Sequence, residues 1–111
     1  MSYDDNNIFA KILRGEIPCK KIYEDDFVLS FHDINPQKKI HALVIPKGKY
    51  IDLDDFNSNA SNDEIVGLMK GITIVSKKLG ISSIEGKGYR ALANISDYGG
   101  QEVPHLHFHL F

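Results

Sequence analysis

The chain has no tryptophan and only one cysteine among its 111 residues. A single thiol, Cys19, excludes an internal disulfide, so stability must come from a packed interior rather than covalent staples. No apolar run approaches the ~20 residues of a membrane span, and no charged segment followed by an apolar stretch opens the chain as a secretion signal would. Charge of one sign is also lacking: 13 basic and 15 acidic side chains leave a net −2, no footprint for a nucleic-acid backbone. These absences predict a reduced, cytoplasmic, soluble protein that engages neither nucleic acid nor membrane. Any phosphate-bearing ligand must be recognised locally.

What is present is enough for a core. With 42% apolar and 25% charged residues the composition is that of a globular protein, and 111 residues fit one domain, 1–111, without room for a second. The stretch NNIFAKILRGEIP predicts a short amphipathic helix, capped by Asn6 or Asn7, with Ile8, Phe9, Ile12 and Leu13 at helical spacing and Gly15 and Pro18 as stops. Two strand-like runs follow, Lys20 to Glu24 and Phe27 to Phe31, around the polar break Asp25-Asp26, as in a hairpin. After a turn at Asn35-Pro36, IHALVIP reads as a third strand ended by Pro46, and Lys47 to Ala60 reads as loop.

A long helix then starts at Ser61, where Ser61-Asn62-Asp63-Glu64 fits a capping box and Ile65, Leu68, Met69, Ile72, Val75 and Leu79 follow on one face, up to Gly80. Gly67 and Gly71, four residues apart, share one side and mark a close approach, either to the chain's own sheet or to a second subunit. GYRALANI supplies a fourth strand, SDYGGQE a turn, and VPHLHFHLF a fifth. Strands dominate and no repeating βαβ series is visible, so the expected class is α+β with a mainly antiparallel sheet.

The terminal HLHFHLF sets three of the five histidines at alternate positions. On a strand, His105, His107, His109 and Phe111 would share one face and Leu106, Phe108 and Leu110 the other, with neighbouring histidine α-carbons about 6.6 Å apart. A solvated sheet face needs no such uniformity. Zinc is a stronger rival, since three imidazoles can bind it, but a straight strand holds the rings roughly parallel and does not converge them on one ion. Phosphoryl or nucleotidyl transfer uses the row better: one neutral imidazole attacks, a second steadies phosphate charge or protonates the leaving group, and a third fixes a tautomer. The preceding Gly99-Gly100 allows a backbone to approach phosphate oxygens closely, though alone it is an ordinary turn signal.

GGQEVPHLHFHLF resembles the signature of the histidine-triad (HIT) superfamily, and FHDINPQKKIHALVIPK resembles the other hallmark segment of its Hint branch; the resemblance runs from about Ile8 to Phe111. It implies a small α+β domain with a five-stranded antiparallel sheet and two helices, extended across a homodimer. It also implies a hydrolase that cleaves purine nucleoside 5'-phosphoramidates through a covalent nucleotidyl-histidine, with no metal or organic cofactor. By this resemblance His107 is the nucleophile, His105 and His109 flank it to orient the ring, contact phosphate and assist the leaving group, and His41 completes the network. Asp33 matches the carboxylate that accepts the ribose hydroxyls, as an ionised carboxylate with several acceptor positions can. Ile8, Phe9, Ile12, Phe31, Ile34 and Leu43 match the slot for the base, positions for which the sequence alone favours ordinary core packing. His32 has a positional role, and Asn94, Gly100, Gln101, Glu102 and Val103 match the surroundings of the phosphate.

Departures from the pattern carry expectations too. Glu102 stands where some relatives have a phosphate-contacting serine, and a carboxylate there repels phosphate unless it points away. Asn7 and Ala10 fall where some relatives have a cysteine pair for structural zinc, so that site is expected to be absent. Relatives continue past the triad with Gly-Gly and a tail that reaches the partner's active site; a chain lacking it is expected to differ in leaving-group preference. Two other functions fit the same residues. One is a dinucleoside polyphosphate hydrolase, which would prefer a polyphosphate leaving group; the other is a non-catalytic nucleotide-binding or interaction module.

Overall fold

The computed structural model describes residues 2–111. Helix α1 (Ile8–Leu13) is capped by Asn7, whose side chain accepts from the Ala10 amide, and Gly15 follows in the left-handed region at φ 77°. Strands β1 (Lys21–Glu24) and β2 (Val28–His32) form the expected hairpin, with Asp25 turning the chain by accepting from the Phe27 and Val28 amides. Strand β3 (Ala42–Pro46) pairs with β2 along its whole length and ends at proline as read.

The segment expected to be loop contains helix α2 (Leu53–Asn59), capped by Asp52, with Phe56 buried. Two apolar residues, Leu53 and Phe56, are too few to show a periodicity, which is why the sequence reads as loop there. Helix α3 (Asn62–Lys78) begins with the complete capping box of Ser61 and Glu64. Its apolar face is narrower than expected, because Met69 is half-exposed while Leu68, Ile72 and Val75 are buried. A methyl group on Gly71 would lie 3.0 Å from the Val28 side chain, and one on Gly67 would lie 2.7 Å from the Phe27 side chain. Both glycines therefore let α3 approach its own sheet.

Strands β4 (Ala91–Leu92) and β5 (Phe108–Leu110) are much shorter than the segments GYRALANI and VPHLHFHLF. The five strands form one antiparallel sheet in the order β1-β2-β3-β5-β4. Among the described residues three helices, not two, accompany it. Helix α3 and Phe56 cover one face, burying Val28, Ala42, Val44 and Leu110. The other face carries Leu29, Phe31, Leu43 and Ile45, packed on Phe9 of α1. His109 is directly opposite Leu43 in the ladder, and opposed residues share a face. The second face therefore joins the apolar patch to the histidines.

Candidate functional site

Only His109 of the three alternating histidines lies in a strand. Pro104 has no amide to donate, the His105 amide bonds back to the Val103 carbonyl at 2.9 Å, and the Leu106 amide bonds across to Tyr50. The chain bends at 103–105 outside the ladder, yet the two-face alternation persists: Leu106 joins Leu110 in the core beside α3, while His105 and His107 meet Phe9 edge-on on the other face. Both Leu106 and His105 are buried.

The partners of each ring nitrogen assign its proton. His105 is 0% exposed, and its Nε2 lies 2.9 Å from the Pro46 carbonyl, an oxygen that can only accept. Burial holds His105 down to about 4, so the ring is neutral; Nε2 carries the proton and Nδ1 accepts from the Tyr3 hydroxyl at 2.5 Å. Both nitrogens are thereby occupied. The expectation that His105 contacts phosphate is corrected: it is a core histidine whose main-chain carbonyl faces the site.

That carbonyl receives Nδ1–H of His107 at 2.7 Å. Burial also lowers His107 below the usual histidine range, opposed by the carbonyl and by the charges of Asp33 and Glu102. A neutral ring with its proton on Nδ1 has an unshared pair on Nε2. Phe9 meets the same ring edge-on, with centroids 4.9 Å apart.

A second chain of protons runs through His41. Its Nδ1 accepts the Gln37 amide at 3.0 Å, so its proton sits on Nε2, which donates to His109 Nδ1 at 2.9 Å. Asp33 Oδ2 lies 3.4 Å from the same His41 Nε2, and the Asp33 amide bonds the His41 carbonyl, which ties the end of β2 to the start of β3. Burial, then the neighbouring imidazoles, hold His109 down to about 4, and its proton is left on Nε2. Phe111 stacks on His41 at 4.7 Å, and the Arg90 guanidinium lies 5.1 Å above the Phe111 ring. His107 thus offers a lone pair and His109 an N–H, with ring centroids 5.0 Å apart.

His41, His109 and Asp33 bring three potential ligand atoms within 4.8 Å of one another. The spacing would suit a divalent ion, but the protons do not. His41 Nε2 holds a hydrogen because Nδ1 is already taken by Gln37, so it has no lone pair to give an ion.

Phe9, Phe31 and Leu43 form the floor of the apolar patch, with Ile12 and Val103 at its margin. Ile8 is more open, and Ile34, at 89% exposure, stands clear of the core. Asp33 Oδ1 accepts the Asn35 amide at 2.9 Å, which fixes the carboxylate at the end of β2 and still leaves it acceptor positions. His32 is exposed at the strand end, and Asn94 is half-buried beyond β4.

The Gln101 side chain, expected near the phosphate, is engaged in hydrogen bonds of its own. Its amide nitrogen donates to the Ile51 and Val103 carbonyls and its oxygen accepts from Ser96, so the side chain holds the loop. Gly100 takes the left-handed conformation at φ 75°, and Glu102 is exposed. A hollow of about 400 Å³, lined by residues including Ile12, Leu13, Leu29 and Lys47, opens on the same face, but no histidine lines it. The titratable side chains converge instead in the histidine cluster. Phe111, which the alternation already sets on the histidine face, and Tyr3 and the Pro46 carbonyl, which no local pattern marks, complete that cluster.

A model of the HIT domain matches residues 14–111. A 13.2 kDa HIT-like protein from Azospirillum brasilense is 53% identical over 110 residues, 99% of this chain and 88% of its own length. A solved structure described as a HIT-like protein superposes with a TM-score of 0.84 at 46% identity, covering 95% of this chain and 96% of that one. A HIT family hydrolase from Clostridium thermocellum superposes with a TM-score of 0.85 at 37% identity, covering 97% and 90% respectively. With its five-stranded sheet and ordered histidines, the chain belongs to the HIT family and has the fold of its hydrolases.

Proposed function

We propose that this protein hydrolyses purine nucleoside 5'-phosphoramidates through a nucleotidyl-His107 intermediate. The observation that carries the reading is the proton order: Nδ1 of His107 donates to the His105 carbonyl, leaving Nε2 as a nucleophile in a neutral ring. In the first step Nε2 forms a bond to the α-phosphorus and the phosphorus–nitrogen bond breaks. The departing amine takes its proton from solvent at the mouth of the site, while His109 Nε2–H steadies the leaving group by hydrogen bonding and the ring stays neutral. In the second step water attacks the same phosphorus, the bond to His107 breaks, and the nucleoside monophosphate leaves with the oxygen of that water, whose proton returns to solvent and balances the one taken up in the first step. Each half replaces one difficult displacement with an easier one.

Asp33 accepts the ribose hydroxyls, and the patch of Phe9, Phe31 and Leu43 receives the base. The Glu102 carboxylate opposes a polyanionic leaving group near the reacting phosphate. This supports an amine in preference to a second nucleotide joined through polyphosphate.

The test is rapid mixing with adenosine 5'-phosphoramidate followed by mass spectrometry. An adenylyl adduct located on His107 and AMP formation at the same rate are expected. AMP binding without adduct or turnover would replace this reading with a binding module, and faster cleavage of a dinucleoside polyphosphate would replace the amine as leaving group.

Because the patch grips the base by apolar contact, few polar groups are left unpaired by the wrong purine. Adenosine and guanosine phosphoramidates should therefore differ in kcat/KM by less than about tenfold, the order of selectivity an apolar pocket provides. A hundredfold preference measured in parallel assays would contradict the apolar slot.

A further inference from the structure

The segment before α1 is tied to the body of the protein. The Asn7 amide and side chain both donate to the Asp4 carbonyl, Arg14 donates to the Asp5 carbonyl at 2.8 Å, and Lys49 pairs with the Asp5 carboxylate at 2.8 Å. These bonds hold Tyr3 with its ring edge-on to His105, centroids 5.6 Å apart, and its hydroxyl on His105 Nδ1.

We propose that Tyr3 is a positioning residue for the nucleophile: its hydroxyl fixes the His105 ring, and His105 in turn presents the carbonyl that holds the proton of His107 on Nδ1. The inference rests on the reading of His107 as nucleophile. His105 is gripped at both ring nitrogens, by Tyr3 at Nδ1 and by Pro46 at Nε2. Removal of the phenol leaves a buried acceptor unsatisfied and lets the ring turn about its remaining bond. A turned ring carries its own backbone with it, because the residue is short, enclosed and not held by a strand ladder. The carbonyl that His107 needs then moves, and the His107 proton distributes between its two nitrogens. The effect falls on the chemical step more than on nucleotide binding, because the His105 ring is 0% exposed and meets the patch only edge-on at buried Phe9, with centroids 6.3 Å apart.

The experiment compares the native chain with Tyr3→Phe by kinetics and by ¹⁵N NMR of labelled histidines, both without ligand and with AMP. In the native protein, His105 should show a protonated Nε2 and an accepting Nδ1, and His107 a protonated Nδ1. Tyr3→Phe should lower kcat about tenfold with KM within twofold, as a misplaced reacting group does, and should give His107 a mixed tautomer signal. A proton on Nδ1 of His105 in the native protein overturns the proposal even if the variant does not fold. So does a Tyr3→Phe protein with kcat within twofold of native, or one whose kcat falls while the His107 tautomer is unchanged. If the native protein cleaves no phosphoramidate but Tyr3→Phe still mixes the His107 tautomer, the positioning role stands and the proposed reaction is what fails.

Discussion

Replacing His107 by alanine is expected to lower kcat/KM for adenosine 5'-phosphoramidate by at least about 10⁴-fold, the scale on which loss of a nucleophile is felt, while AMP still binds. The size of the loss follows from the other rings. No neighbouring imidazole can substitute, because His105 has both nitrogens occupied inside the core and His41 has both occupied by Gln37 and His109. His109 accepts at Nδ1 and carries its proton on Nε2, so it faces substrate as a donor. His109→Ala should therefore cost less, about 10²- to 10³-fold, the usual contribution of a positioned hydrogen-bond donor. The pH profile discriminates further. Since burial holds His107 below the ordinary histidine range, the free-enzyme kcat/KM should stay level as pH falls through ~6.5 and decline only below that value. Steady-state assays of both variants and a native profile from pH 4.5 to 8 check this. A His107→Ala protein retaining a tenth of native activity would remove the covalent route altogether.

The sequence exposes those parts of the molecule whose rules are local. A capping box before an apolar stripe fixes α3, Asp25-Asp26 breaks a hairpin, and Pro46 ends a strand, because each depends on residues a few positions apart. The histidine row is legible in its facing but not in its burial. The ladder starts only at Phe108, yet Leu106 still packs with Leu110 while His105 and His107 meet Phe9 on the other face. His105 reads as a phosphate ligand, but its ring is fully buried and its carbonyl supports His107. The holding role of Gln101 is equally hidden, since the Ile51, Val103 and Ser96 backbone groups that take up its amide are joined to it only by the fold. Tyr3 was illegible for another reason: its partner lies 102 residues away, and no periodicity connects the two. Helix α2 is hidden by its acidic opening, Asp52 to Asp55, which resembles a loop until the Asp52 side chain is seen to accept from the Asp55 amide.

Neutral histidines inside the fold also predict a marked acid sensitivity. His105 and His109 are each held down to about 4, and His107 is lowered as well, all by burial first. In the unfolded chain the same groups titrate near ~6.5. Between these values the unfolded state binds more protons than the folded one, so stability is complete above ~6.5 and is lost as pH falls toward 4. For His105, which has no exposed surface, the loss across that window reaches about 3 kcal/mol by proton linkage. The half-exposed His109 adds less because solvent screens it. Against a typical total of ~5–15 kcal/mol this is a large share. Carboxylates act in a different window: Glu24, held down to about 2 by Lys21 and Lys47, yields its contribution only below its ordinary 4.5. Urea unfolding at pH 7.5, 6.5, 5.5 and 4.5 should show the midpoint falling steadily over the last three values with an unchanged slope. His105→Gln, which cannot take up a proton, should start less stable and lose less over the same range. A native midpoint level from pH 7.5 to 4.5 would mean that these rings admit protons while folded, and the neutral tautomer order on which His107 depends would then be wrong as well.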